Sequence, residues 1–355
     1  AGMDKLLGLL VVMMCASLTG CAGFVARNIE QPGHIRTAPQ MRQLLGELGH
    51  YRQHQFHAPA GVRIAYWYAT PSLPGITGNL QLAWRNGKLA KFSFTDAQRT
   101  KAKPAPPTRG SVVLLPPWGQ NAAQMMFWGL PFSAAGYVTV MADLRSQGDS
   151  GNAPVGYGPR EAGDIVALIR QLQDEHRLPA PLYLFGVSYG ATVALFAAPD
   201  LPKLRGVIAL EPYVHPVDVI ERAPASGLLG PKWWAYFLGP SVMDKGIARA
   251  DKKLGIDLAS IDPADALAKS RACTLLLRGS DDKLISGRAL ADLSQRSNRA
   301  RYVEIPGANH VTLFFGHGIH FGSIVAWMQR IPDDADAACP DYVPEAVSHK
   351  TRATH

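Results

Sequence analysis

From Ser111 onward the chain alternates short, almost wholly apolar runs with segments of helical periodicity. The runs are "SVVLLPP" (111–117), "YVTVMADLR" (137–145), "LYLFGVS" (182–188), "LRGVIALEP" (204–212), "CTLLLRG" (273–279) and "RYVEIPG" (301–307). Helical patterning falls at Arg160–Glu175, Ala191–Ala198, Gly287–Arg296 and Gly322–Arg330. A strand with no polar face must be covered on both sides. Strand–helix alternation supplies that cover by placing helices on the two faces of a mostly parallel sheet. The pattern predicts an α/β fold.

Residues 62–96 read differently. "VRIAYWYA", "NLQLAWRNG" and "KLAKFSF" are short, aromatic and partly alternating, with Asn86-Gly87 as a hairpin signal. An antiparallel meander is expected here, extending the sheet at one edge. The Pro-rich "TKAKPAPPTRG" (100–110) connects it to the alternating part. Residues 21–60 are mixed and polar, with one helix-like patch at Met41–Leu48, and read as a tether. Residues 61–331 read as one domain. Within it, 212–270 break the alternation and contain "LLGPKWWAYFLGP" (228–240). A connection of that length inside a compact domain is usually functional. A helical cap is expected, with Trp233 and Trp234 on its apolar underside. The segment 332–355, rich in Pro, Asp and Ala near its start, reads as a loosely ordered tail.

The run ending in "LFGVSYGAT" (184–192) carries chemistry. A serine flanked by glycines two positions away on each side sits between a strand and a helix. The turn must be sharp, and side chains at 186 or 190 would collide with the neighbouring strand and helix. It lifts the Ser188 hydroxyl to the sheet edge, facing the positive end of the following helix. A serine needs a base to become a nucleophile, and the base needs an orienting acid. "RGSDDKLIS" (278–286) follows one strand and offers Asp281 and Asp282; "PGANH" (306–310) follows the next and offers His310. Glu211, at the end of "GVIALEP", is the rival acid. His317 and His320 are less well placed after the strand.

These motifs, with "DLRSQGDSG" (143–151), resemble the α/β-hydrolase family over residues 111–330. "GVSYG" resembles its nucleophile elbow. "RGSDD" resembles its G-x-x-D acid turn, selecting Asp282. "GANH" resembles its G-x-x-H turn, selecting His310. The 143–151 loop resembles D-x-R-G-x-G-x-S with Ser146 in place of glycine, and implies structural roles for Asp143 and Arg145. The resemblance implies an α/β-hydrolase fold with a catalytic Ser188, His310 and Asp282. Its oxyanion hole would be built from backbone N–H groups, one of them that of Tyr189. Where the family often has His-Gly, this chain has Pro116-Pro117, which lack N–H groups, so the first donor is expected at Trp118. The apolar "QMMFWGLPF" (124–132) places Met125, Met126 and Phe127 as candidate walls of an acyl pocket.

The expected activity is that of a serine hydrolase acting on a small carboxylic ester, with no metal or organic cofactor. Alternatives are a peptidase of the proline-iminopeptidase type, an acyltransferase, or a non-catalytic envelope lipoprotein using the fold for binding.

The N-terminal residues 1–20 read as a signal peptide. Ala1-Gly2, ahead of Met3, are set aside as a remnant of expression. Lys5 precedes an apolar stretch, Leu6–Met14, too short to span a bilayer. "LTGC" (18–21) resembles the bacterial lipoprotein signal. That implies lipidation of Cys21, an anchored rather than spanning protein, and, because Ala22 follows, the outer membrane facing the periplasm. The net charge of +8 is scattered, with clusters at Lys101/Lys103/Arg109 and Arg296/Arg299/Arg301. Without interleaved aromatics this speaks against nucleic-acid binding. A solvated surface facing anionic membrane or wall material is the plainer reading. In an oxidising compartment Cys273 and Cys339 could pair. Cys273, opening a strand, reads rather as a small buried hydrophobe.

Overall fold

The structure is a computed structural model that describes residues 18–74, 76–85, 88–99, 104–226, 238–315 and 317–344. Ten strands are present among them: β1 (Arg52–His57), β2 (Arg63–Ala69), β3 (Ile76–Arg85), β4 (Lys88–Arg99), β5 (Gly110–Leu115), β6 (Tyr137–Ala142), β7 (Leu182–Val187), β8 (Leu204–Leu210), β9 (Cys273–Gly279) and β10 (Ala300–Ile305). Eight form one sheet in the order β1-β2-β6-β5-β7-β8-β9-β10. From β6 to β10 every neighbouring pair is parallel, while β1–β2 and β2–β6 are antiparallel. Every residue of β5, β6, β7 and β9 is buried. The unbroken apolar runs of the sequence are thus the central strands of a sheet covered on both faces.

The helices are α1 (Leu18–Glu30), α2 (Pro39–Gly49), α3 (Met126–Ala134), α4 (Pro159–Asp174), α5 (Tyr189–Ala197), α6 (Pro216–Ser226), α7 (Pro240–Leu254), α8 (Ala264–Lys269), α9 (Gly287–Ser294), α10 (His310–Phe315) and α11 (His317–Arg330). Leu168 of α4, Leu195 of α5 and Leu290 of α9 belong to one buried cluster, with Val113 and Val207 of the sheet. Leu45 of α2, Trp128 of α3 and Trp327 of α11 belong to the other, with Val112 and Ile208. Adjacent residues of one strand feed opposite cores, as a pleated sheet requires.

Four expectations are corrected. The three-stranded meander does not join the sheet as a unit. Only β2 does; β3 and β4 pair with each other in a separate two-stranded sheet, Arg85 opposite Lys88, and the turn Asn86-Gly87 lies outside the described residues. The edge is completed by β1, which falls in the stretch read as a tether. "RQHQFH" buries only Phe56, so it carries the weak pattern of an edge strand.

The second correction also concerns 21–60, which contains most of α1, all of α2 and β1. α1 packs on α7 so closely that a Cβ at Gly246 would overlap Val25. Third, Cys273 is both buried and disulfide-bonded, to Cys339. Fourth, residues 332–344 are bound to the body. Besides the disulfide, Trp327 Nε1 donates to the Pro340 carbonyl at 2.9 Å, and Arg299 and Arg301 donate to the carbonyls of Ala337 and Cys339, each at 3.0 Å. Arginines read as solvated surface charge therefore hold the tail. The excursion 212–270 is helical where described (α6, α7, α8), and Trp233 and Trp234 lie outside the described residues.

Candidate active site

Ser188 stands between β7 and α5 with φ +50° and ψ −112°. A serine in that region is strained by roughly 1–3 kcal/mol, and the surroundings enforce it. The Ser188 N–H donates to the Leu210 carbonyl at 2.7 Å. A Cβ on Gly186 would drive into the Gly190 carbonyl and the Ala191 backbone; one on Gly190 would meet the Leu115 carbonyl. The two glycines let the helix leave the strand at once, and the hydroxyl is held at the apex.

His310 is the first residue of α10. Its turn is fixed by Asn309, whose side-chain oxygen accepts from the N–H groups of Val311 and Thr312, both at 3.0 Å. Asp282 lies in the turn after β9. A Cβ on Gly279 would strike the Ala308 carbonyl, so that glycine lets the acid turn and the histidine turn touch. The three side chains form a chain of hydrogen bonds. Ser188 Oγ lies 3.1 Å from His310 Nε2, and His310 Nδ1 lies 2.7 Å from Asp282 Oδ2. The other oxygen of Asp282 accepts from Leu284 N at 2.6 Å and Ile285 N at 3.1 Å. The side chain of Asp282 is wholly buried. Burial alone would raise its pKa; the hydrogen bond and charge of His310, with smaller help from Glu211 and the Ile285 N–H, outweigh it and bring it to about 2. An ionised Asp282 leaves the imidazole proton on Nδ1. Nε2 is then free to accept from Ser188. Both ring nitrogens are committed in this way, which suits proton transfer rather than metal ligation.

Tyr189 begins α5, so its N–H has no acceptor within the helix. In the loop after β5, Gly119 N donates to Gln147 Oε1 at 2.8 Å, Gln120 N to the Pro117 carbonyl at 3.2 Å, and Ala122 N to Asp143 Oδ1 at 2.5 Å. The Trp118 ring packs against Tyr157 and Tyr189, with centroids 5.2 and 4.9 Å away. Asp143 also accepts from Asp149 N at 2.8 Å, and so ties this loop to the 143–151 loop. Burial raises its pKa to about 7, against the pull of those two N–H groups. Arg145 makes a two-pronged pair with Asp164, at 2.8 and 2.9 Å. Ser146, where the family motif has glycine, adopts φ +59°. Its hydroxyl donates to the Ala153 carbonyl at 2.6 Å and accepts from Ala153 N at 2.9 Å, which holds the left-handed turn without glycine.

Met125, Met126 and Phe127, the candidate acyl-pocket residues, are buried at 0, 3 and 6% exposure. They are buried in the core between the sheet and α2, α10 and α11, where Phe127 meets the rings of Phe314 and Phe315 at 6.3 and 5.1 Å. Apolar helix composition alone does not separate core from pocket. A small cleft lies beside the Asp282 turn. Val214, Leu284 and Ile285 give it apolar walls, and His215 and Arg222 give it polar ones.

A second feature has no sequence signal. The strap joining α1 to α2 lies across the loop after β5. The Ile35 carbonyl accepts from Asn121 Nδ2 at 2.8 Å, the Ile29 carbonyl from Tyr157 Oη at 2.8 Å, and a Cβ on Gly119 would meet the Pro32 carbonyl. Cys21 lies in the first turns of α1, is 4% exposed, and is disulfide-bonded. Among the described residues no helix is long and apolar enough to cross a membrane.

An elbow serine aligned with a histidine and a buried aspartate, on a sheet of this order, defines the architecture of a hydrolase. Residues 112–318 match the Alpha/beta hydrolase family, and the chain belongs to it. It is 28% identical to the 2-(acetamidomethylene)succinate hydrolase of Mesorhizobium japonicum over 206 residues, 49% of this chain and 72% of that protein. Among solved structures, it resembles the Pyrococcus furiosus esterase Pf2001 with a TM-score of 0.59 at 16% identity, covering 85% of this chain and 97% of that one. It resembles a bacterial membrane phospholipase A with a TM-score of 0.53 at 16% identity, covering 92% and 98%. At these identities the structural likenesses speak for the fold.

Proposed function

We propose that this α/β-hydrolase is a serine esterase that cleaves a small carboxylic ester through an acyl-enzyme. The observation that carries the reading is the Ser188–His310–Asp282 chain at 3.1 and 2.7 Å. In the proposed mechanism His310 Nε2 takes the hydroxyl proton as Ser188 Oγ bonds to the acyl carbon. The carbonyl oxygen becomes an oxyanion, held by the N–H groups of Trp118 and Tyr189, each worth about 2.7–4 kcal/mol of barrier. His310, now imidazolium beside Asp282, gives that proton to the departing alcohol. Water then attacks the acyl carbon, losing a proton to His310; as the bond from the acyl carbon to Ser188 Oγ breaks, His310 returns that proton to Oγ, and the carboxylic acid is released. The names of an esterase and a phospholipase among the structural neighbours agree with ester substrates.

A chain-length series of activated esters tests the substrate class. Each further CH₂ buried contributes at most about 0.8 kcal/mol, so kcat/KM should rise by up to about fourfold per methylene until the pocket is full, then fall. Cleavage of N-terminal residues from peptides without ester turnover would replace the esterase with the peptidase alternative.

The proposal includes an envelope anchor at Cys21, supported by "LTGC" after a short apolar segment. Lipidation uses the sulfur that is disulfide-bonded here, so the anchored form is one in which that bond is gone. Expressed in a bacterium with its own leader, the protein should partition into detergent, and Cys21→Ser should remain aqueous. Full membrane partition of Cys21→Ser would refute the anchor.

A further inference from the structure

Glu211 directly follows β8 with φ +52°, a left-handed conformation that glutamate rarely adopts. Its side chain has no exposure to solvent. Two bonds to the neighbouring strand hold it there. Its N–H donates to the Leu277 carbonyl at 2.7 Å, and its Oε1 accepts from Gly279 N at 2.8 Å. The second oxygen, Oε2, is buried and accepts from no N–H or hydroxyl. A carboxyl oxygen of Glu211, one of Asp282 and a ring nitrogen of His310 lie within 4.8 Å of one another.

Two carboxyl groups this close and away from water do not both ionise. The donors decide which one does. Asp282 receives the imidazole N–H and two backbone N–H groups, whereas Glu211 receives only that of Gly279. The cation nearby, Arg278, is committed elsewhere, donating to the Ile285 and Asp282 carbonyls and to Glu304. Tyr302 on β10 also senses the charge of Glu211. Burial first, and Asp282 second, push Glu211 up to about 10.

We propose that Glu211 is a neutral carboxylic acid that donates its Oε2 hydrogen to the Asp282 carboxylate, making it a positioning residue for the acid of the Ser188–His310–Asp282 chain. This rests on the hydrolase reading for its effect on rate, but not for its charge state. A neutral donor behind Asp282 holds the carboxylate in line with the imidazole. It also limits the basicity of Asp282, and so the pull of that carboxylate on the imidazole proton. An ionised Glu211 would instead place a second buried negative charge beside Asp282 and leave it without that donor.

Infrared difference spectra at pH 7 between wild type and Glu211→Gln read the charge state directly. A protonated-carboxyl band lost in the variant is expected; a lost carboxylate band overturns the proposal, whatever the enzyme's activity. Kinetics on an activated ester read the positioning role. Glutamine keeps an N–H donor and should hold kcat within about threefold, with the acid limb of the pH profile unmoved. Glu211→Met fills the space without a donor. It should lower kcat roughly ten- to hundredfold, as for a lost hydrogen bond to a charged group, and shift the acid limb upward. Wild-type kcat and pH profile in Glu211→Met would overturn the proposal, as would a loss of several orders of magnitude in Glu211→Gln. Thermal melts of each variant separate a folding defect from these effects. If Glu211→Met does not fold, the infrared result and Glu211→Gln decide. An inactive wild type with a protonated Glu211 would sink the hydrolase reading alone.

Discussion

Replacing Ser188 by alanine is expected to lower kcat on an activated ester by roughly 10⁶-fold and to abolish labelling by a fluorophosphonate probe. The size follows from the proposed chemistry. Without Oγ no acyl-enzyme forms, and His310 and the N–H groups of the turn have no nucleophile to serve. The substitution removes one oxygen from a side chain that is 8% exposed, and the backbone bond from Ser188 N to the Leu210 carbonyl is untouched. A folded Ser188→Ala protein with no turnover is therefore the expected result. Equal probe labelling of wild type and variant would place the nucleophile elsewhere.

Asp282→Asn should cost about 10⁴-fold in kcat. Asparagine matches aspartate in shape but presents an NH₂ or an uncharged oxygen to His310 Nδ1. Where the NH₂ faces the ring, the imidazole proton moves to Nε2 and points at Ser188, the wrong tautomer for a base. Where the oxygen faces it, the charge that stabilises imidazolium is gone. The comparison with Glu211→Gln is decisive because the two carboxyls are neighbours. If the Glu211 change alone lowers kcat by orders of magnitude, the acid has been assigned to the wrong strand end.

The convergence of Ser188, Asp282 and His310 was legible because local sterics leave a trace in the chain. Gly186, Gly190 and Gly279 stand where a Cβ would strike backbone, and each marks a turn that carries or adjoins a site residue. The central strands were legible for a related reason, since burial on both faces leaves no polar position. The rest depends on partners distant in sequence. β1 is a strand because β2 lies beside it, not because "RQHQFH" has a strand's pattern. Cys273 and Cys339, 66 residues apart, carry no sign of each other. Met125 and Met126 look the same whether they face a pocket or a core; here α2 and α11 complete that core. Glu211 could be named as an acid near the site, but its relation to Asp282 depends on β8 and β9 being neighbours.

The strap between α1 and α2 bears on how the molecule can be handled. A shortened version for crystallisation or assay is commonly made by deleting everything ahead of the catalytic body. Cutting at residue 61 would strip the edge strand β1 and the carbonyls of Ile29 and Ile35, which anchor Tyr157 and Asn121. Asn121 in turn caps the short turn Ala122–Met125 that leads into α3. Such a fragment would lose part of the wall beside its own reaction centre. A cut just ahead of Ala22 removes Cys21 and leaves those carbonyls in place. For this chain, support for the reaction centre reaches back into α1, well ahead of the point where the strand–helix alternation begins.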